Sequence, residues 1–286
     1  MNIASPQPYT KVPFAELQAY LHNTASAEEI NYIEVTDIEA AALFNDNRDL
    51  KTVEHPSLLG KILKQSGKKV ALKLPKTVEN LYSMRNCFYG CTDLVSVAAI
   101  PKGVMEMTCC FAFCESLTKA PIFPAYVVNM FACFLGCTSL TESPILSNDV
   151  IMMKNCFRGC KNLTKVHPLP AGVTDISSCF FGCERLTEAP AIPCTVRNMD
   201  GCFSGCTSLI KAPALPADIT SLLHCFADCK SLTKAPAIPD SVTRIDECFR
   251  GCERLTEIPR MPKGITRAAD CFSSARLEAL RALLQS

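Results

Sequence analysis

Tryptophan is absent from the 286 residues, histidine is confined to His22, His55, His167 and His224, and aromatic residues make up only 7% of the chain. Acid/base chemistry near neutral pH therefore has four imidazoles to draw on. An excess of charge is also missing, since 29 Lys and Arg against 28 Asp and Glu leave a net charge of +1. No strong field exists to attract phosphate backbones or anionic lipid, and nucleic acid drops out as an expected partner. No apolar run is long enough to span a bilayer. Residues 1–8 carry no basic stretch leading into an apolar one, so no secretory leader is read here, and the chain is expected to be either intracellular or a form without its leader. What is abundant is apolar and sulfur-bearing. Hydrophobic residues make up 48% and charged residues 20%, enough for a folded core, and 19 cysteines and 19 prolines stand beside 12 glycines, a combination that ordinary enzymes rarely show.

The cysteines are periodic. Cys87, Cys110, Cys133, Cys156, Cys179, Cys202, Cys225, Cys248 and Cys271 recur every 23 residues, each followed by Phe. A second cysteine follows four residues later at Cys91, Cys114, Cys137, Cys160, Cys183, Cys206, Cys229 and Cys252, with Ala275 closing the series. Three residues further on stands a leucine, from Leu94 and Leu117 through to Leu255. The consensus is C-F-x-G-C-x-x-L-T-K/E-A-P-x-I-P-x-x-V-T-x-I/M. Each unit combines a Cys-Phe-x-x-Cys segment suited to a short helical turn with a segment suited to a short extended stretch. One unit cannot bury its own apolar side, but stacked units about 4.8 Å apart can, with identical residues forming inward columns.

This unit resembles the BspA-like, or Treponema pallidum-type, leucine-rich repeat in a cysteine-rich variant, over residues 76–272. The resemblance implies an α/β fold: a leucine-rich-repeat solenoid of about eight 23-residue repeats. It also implies a bacterial cell-surface or secreted protein that attaches to host proteins or other cells. One departure is an extra proline in the extended segment (Pro121, Pro144, Pro190, Pro213, Pro236, Pro259), which removes a ladder donor and is expected to shorten the strand.

The ends read as caps. Residues 1–75 form a small α/β unit, with helices expected over residues 14–22 and 58–64 and a strand over 32–35. Ser26 with Glu29 and Thr36 with Glu39 have the spacing of capping boxes. Residues 70–75 copy the extended half of a repeat and are expected to start the sheet. Residues 273–286, with Leu277, Leu280, Leu283 and Leu284 on one face, read as a C-terminal capping helix.

Three readings of the cysteine columns differ in their physics. Free Cys packs as a small hydrophobe and suits a narrow inner layer. Zinc sites favour C-x2-C pairs, whereas the spacing here is C-x3-C. Stacked equivalents have parallel Cα–Cβ vectors, which disfavours disulfides between them. Buried, reduced thiols without a metal or cofactor are the expectation. Cys109 and Cys194 fall outside the columns at usually polar positions and are the two read as exposed, with drift at a loop position as the plainer account. No catalytic residue emerges: there is no histidine column, His224 beside Cys225 is a pair only on paper, and no phosphate-cradling glycine motif occurs.

Recognition is therefore assigned to the outer wall. The column Lys119, Glu142, Lys165, Glu188, Lys211, Lys234, Glu257 is expected to form a charge ladder, and Thr118, Thr141, Thr164, Thr187, Thr233 and Thr256 to line a strand surface. Positions polar or small in late repeats are apolar in early ones, namely Met105, Phe113, Tyr126, Val128, Phe131, Leu135, Ile151 and Met152. Together they form the candidate protein-binding patch. Phe123 is balanced between this patch and the core. The expected function is non-enzymatic protein binding, with an intracellular scaffold and a thiol-rich metal-binding or redox protein as alternatives.

Overall fold

The computed structural model describes residues 8–45, 55–257 and 259–272. Strand β1 (Thr10–Pro13) leads through a single 3-10 turn into helix α1 (Leu17–Asn23), whose Leu17 and Leu21, one helical turn apart, are buried. Strand β2 (Asn31–Thr36) alternates between buried Asn31, Ile33 and Val35 and half-buried neighbours, the period of a strand with one face inward. Helix α2 (Leu58–Ser66) is capped by Ser57, whose hydroxyl accepts from the Gly60 N–H at 3.1 Å, and ends at Gly67 in the left-handed conformation. Strands β3 (Val70–Lys73) and β4 (Leu94–Val97) complete a parallel sheet in the order β1-β2-β3-β4.

The sheet therefore starts at Thr10 and not at residues 70–75. Only Val12 is buried in β1, so this strand shows none of the alternation that marks β2. Neither expected capping box starts an α-helix. The Ser26 hydroxyl accepts from the Glu29 N–H at 3.0 Å within a bend, and the Thr36 hydroxyl turns to Asp37 ahead of one 3-10 turn at Ala40–Ala42. The C-terminal helix expected over 273–286 lies outside the described residues.

Beyond β4 the strands shrink to isolated parallel bridges such as Glu142 with Lys165 and Lys211 with Lys234. The repeat that keeps a strand carries Ala98 where the later repeats, except that of His167, carry proline, and the missing proline N–H contributes to the narrowing. The Cys-Phe segments form linked reverse turns, not helical turns. Cys110, Cys114 and Leu117 each donate their N–H to the carbonyl three residues back at 3.0–3.1 Å. The run cannot continue as a helix because left-handed residues such as Cys109, Phe113, Ala132 and Gly136 interrupt it.

Successive coils stack in register, and their apolar side chains make one core from Val12 to Phe272. The phenyl rings from Phe88 to Phe272 form a continuous pile with centroids 5.2–5.7 Å apart and planes within 19° of parallel. Such tilted, offset stacking matches a coil spacing slightly wider than a strand separation.

Candidate interaction surface

Sulfur lies inside. All 19 cysteines are free thiols, and every one except Cys194 is buried. The second cysteine of each coil from Cys114 to Cys252 donates its S–H to the Phe carbonyl of the coil before, at 3.0–3.3 Å. Cys91 opens this ladder by donating to the Gly60 carbonyl of α2 at 3.3 Å. Burial pushes these thiols above their ordinary range, for Cys252 up to about 12, which leaves them protonated and unreactive. Among the described residues no group of three or more His, Cys, Asp or Glu is placed to hold a metal ion.

The histidines do not meet these thiols. His224 points outward with its Nδ1 3.4 Å from the Glu247 carboxylate, while Cys225 is fully buried and its thiol is raised by desolvation. His167 lies with Nδ1 2.8 Å from the Ser143 carbonyl and Nε2 3.2 Å from Glu142. Glu142 also pairs with Lys165, which holds its carboxyl below the usual range. Among the described residues this is the single ion pair in the expected charge ladder. Several exposed threonines act as rung donors: Thr164 and Thr256 donate their hydroxyls to the carbonyl 23 residues earlier at 3.2 and 3.0 Å.

The eight patch residues divide into two groups. Met105, Val128 and Ile151 form one column on consecutive coils, joined by backbone N–H···O bonds of 2.9 and 3.0 Å. Met105 and Ile151 are exposed, and Tyr126 beside the column is 67% exposed. Met152 is half-buried and bridges to Asn129 and Asp175. Beyond Ile151 the column turns polar with Thr174 and Arg197.

Phe113, Phe131 and Leu135 belong to the second group. Phe131 and Leu135 pack with Tyr89 over Cys109, Ala112 and Ala132. The Tyr89 and Phe113 rings meet edge to face at 5.5 Å. Phe113 occupies the left-handed position held by glycine in most coils and leans over Gly136, where an added Cβ would lie 2.7 Å from its ring. Cys109, expected to be exposed, is therefore 5% exposed beneath this cluster, and burial pushes its thiol up to about 11. Cys194 is exposed as expected. Phe123 packs inward, with its ring edge-on to Phe134 at 6.0 Å.

Sequence reasoning missed four outward residues. Tyr82 heads the Met105 column through a 2.9 Å backbone bond and is 64% exposed. Its spacing of 23 residues before Met105 was the available signal. Tyr89 joins the Phe131 cluster. Ile122 and Ile145, each 74% exposed, stand in a column that is mostly Ala or Pro elsewhere, and they flank a groove of about 600 Å³ with Lys119 and Glu142 on its wall. The adjoining inward Ile column hid them.

A family model described as "BspA type Leucine rich repeat region (6 copies)" matches the chain over residues 15–128, 63–187, 130–256 and 176–283. No curated protein matches. Among solved structures, the chain is similar to a leucine-rich repeat protein of T. pallidum, with 23% identity, 65% of this chain and 78% of the other covered, and a TM-score of 0.48. It is similar also to a leucine-rich repeat protein from Bacteroides ovatus, with 18% identity, 70% and 74% covered and a TM-score of 0.40. A leucine-rich cell surface protein from Faecalibacterium prausnitzii shows 18% identity over 73% of this chain and 81% of the other, with a TM-score of 0.24.

Proposed function

The chain belongs to the BspA type leucine-rich repeat family, and from that premise we propose that it is a non-enzymatic adhesion protein of the bacterial surface or exterior that holds a partner protein on its early coils. The observation that supports this reading is the apolar column of exposed Tyr82, Met105 and Ile151 with half-buried Val128 among them and exposed Tyr126 at its side. Aromatic and methionine side chains standing in water on consecutive coils cost solubility and contribute nothing to the core, while Tyr and Met are enriched where protein interfaces close. The same column is polar in the later coils, so the fold does not require apolar residues there.

The test is capture from a panel of purified extracellular-matrix and cell-surface proteins by wild type, Tyr126→Asp, Ile151→Asp and the late-column control Thr243→Asp. Loss of one central contact of this kind is worth about 2 kcal/mol or more, so capture by the first two variants is expected to weaken at least about tenfold. The control is expected to match wild type. Equal capture by all four proteins would remove the column as the contact site.

A second reading, an intracellular scaffold, is supported by the 19 free thiols, since reduced cysteine is the rule inside cells. Protease treatment of intact cells separates the two: a surface protein is cleaved and an internal one is spared.

A further inference from the structure

We propose that the solenoid is a redox-gated fold, reached only by the fully reduced chain and closed to a chain in which column cysteines have formed disulfides. The proposal stands apart from what the apolar column binds.

Its basis is the place of the thiol hydrogen. From Cys114 to Cys252 each coil is tied to the one before by an S–H···O=C bond of 3.0–3.3 Å, and Cys91 extends the tie to α2. The accepting Phe carbonyl also takes an N–H within its own turn, for example from Cys91 to Phe88 at 3.0 Å, so the thiol adds a side-chain bond between coils to backbone bonds such as the one from Phe88 N–H to the Cys110 carbonyl at 2.8 Å. A disulfide between two of these cysteines abolishes two such donors at once, and one that links a donor to a cysteine of the other column abolishes one. It also requires two Cβ atoms to face one another, whereas sulfurs of one column all point the same way, each at a carbonyl of its neighbour.

The gate works in one direction for each state. In the folded chain the sulfurs are buried, out of reach of a small-molecule disulfide. In the unfolded chain the same thiols are accessible, and many pairs are only four residues apart. Two thiols then exchange with one oxidised glutathione: a protein S–S bond forms, the glutathione S–S bond breaks, and the two protons leave with two molecules of reduced glutathione. The chain loses two electrons, which the glutathione gains. A chain so oxidised lacks sulfur donors between its coils and cannot set the linked sulfurs in register. Folding must therefore precede contact with an oxidant, which ties the protein to an oxidant-poor compartment or exterior.

The test compares wild type with Cys194→Ser, in which the exposed thiol is gone and disulfide-linked dimers through it cannot form. Native protein held with excess oxidised glutathione is expected to keep its circular dichroism and, after denaturation and alkylation, all its column thiols. Protein unfolded in denaturant and diluted into reduced glutathione is expected to regain the native spectrum. Dilution into oxidised glutathione is expected to abolish recovery, and dithiothreitol to restore it. Native spectra recovered under oxidising conditions with column disulfides present would overturn the proposal, as would column thiols lost from the native protein without loss of its spectrum. Recovery by Cys194→Ser under oxidising conditions would overturn it too, by tracing the block to the exposed thiol.

Discussion

At the scale of single residues, Phe113 is a position where a role in contact and a role in packing can be told apart. It adopts a left-handed backbone where most coils use glycine, at a cost of about 1–2 kcal/mol for a side-chain-bearing residue. Its ring is 38% exposed and recovers part of that through its edge contact with Tyr89, worth about 0.5–1.5 kcal/mol. The two effects nearly offset. Phe113→Gly is therefore expected to change unfolding free energy by less than about 1 kcal/mol while weakening partner capture. Urea unfolding alongside the capture assay decides it, and a stability loss of about 3 kcal/mol, the range for a deleted core phenylalanine, would show that Phe113 is interior packing instead. That Phe113 departs from its column was legible in the repeat. That its ring meets Tyr89, which with Phe131 and Leu135 covers Cys109, was not, because columns read one by one do not reveal which side chains meet across left-handed turns.

At the scale of elements, helix α2 fastens the N-terminal unit to the first coil. The Ser57 hydroxyl donates to the Cys87 carbonyl at 2.9 Å, and the Gly60 carbonyl takes the Cys91 thiol. Gly60 sits so close that an added Cβ would lie 2.2 Å from the Cys87 carbonyl oxygen and 2.6 Å from the Pro56 side chain. Gly60→Ala gains up to about 1 kcal/mol of helix propensity yet must push α2 off the coil. A net destabilisation of about 1–3 kcal/mol is expected, with earlier proteolysis of the N-terminal unit. A variant as stable as wild type would show that α2 is loosely attached. The helices and β2 were legible because their apolar periods run over several turns or alternations. Strand β1, with one buried residue, has no such period. The turns around each Cys-Phe step escaped for another reason: left-handed Asn86, Cys109, Ala132 and Ser178 share no residue type that would announce the conformation.

At the scale of the whole molecule, the repeat multiplies one small effect at each cysteine into a collective one. Seventeen buried thiols are raised above the ordinary value of 9.0, mainly by desolvation. Well below pH 9 folded and unfolded chains hold the same thiol protons, and stability is untouched. As pH approaches and passes that value the unfolded chain releases protons that the folded chain keeps, so stability falls until the folded thiols themselves titrate, at about 11 for Cys109, about 12 for Cys179 and higher for most of the others. Each such group removes up to about 1.4 kcal/mol per pH unit. Seventeen together exceed the roughly 5–15 kcal/mol that holds a domain folded within the first unit or so. The thiols are spread evenly along the coils from Cys87 onward, so no coil is spared and the coils are expected to fail together. Reduced protein titrated upward and followed by circular dichroism is expected to unfold in one steep, many-proton transition between about pH 9 and 10. Persistence of the native spectrum through pH 11, or a shallow change with the slope of one or two protons, would mean that the sulfur columns are open to water, and the stacked interior on which the outer wall rests would have to be redrawn.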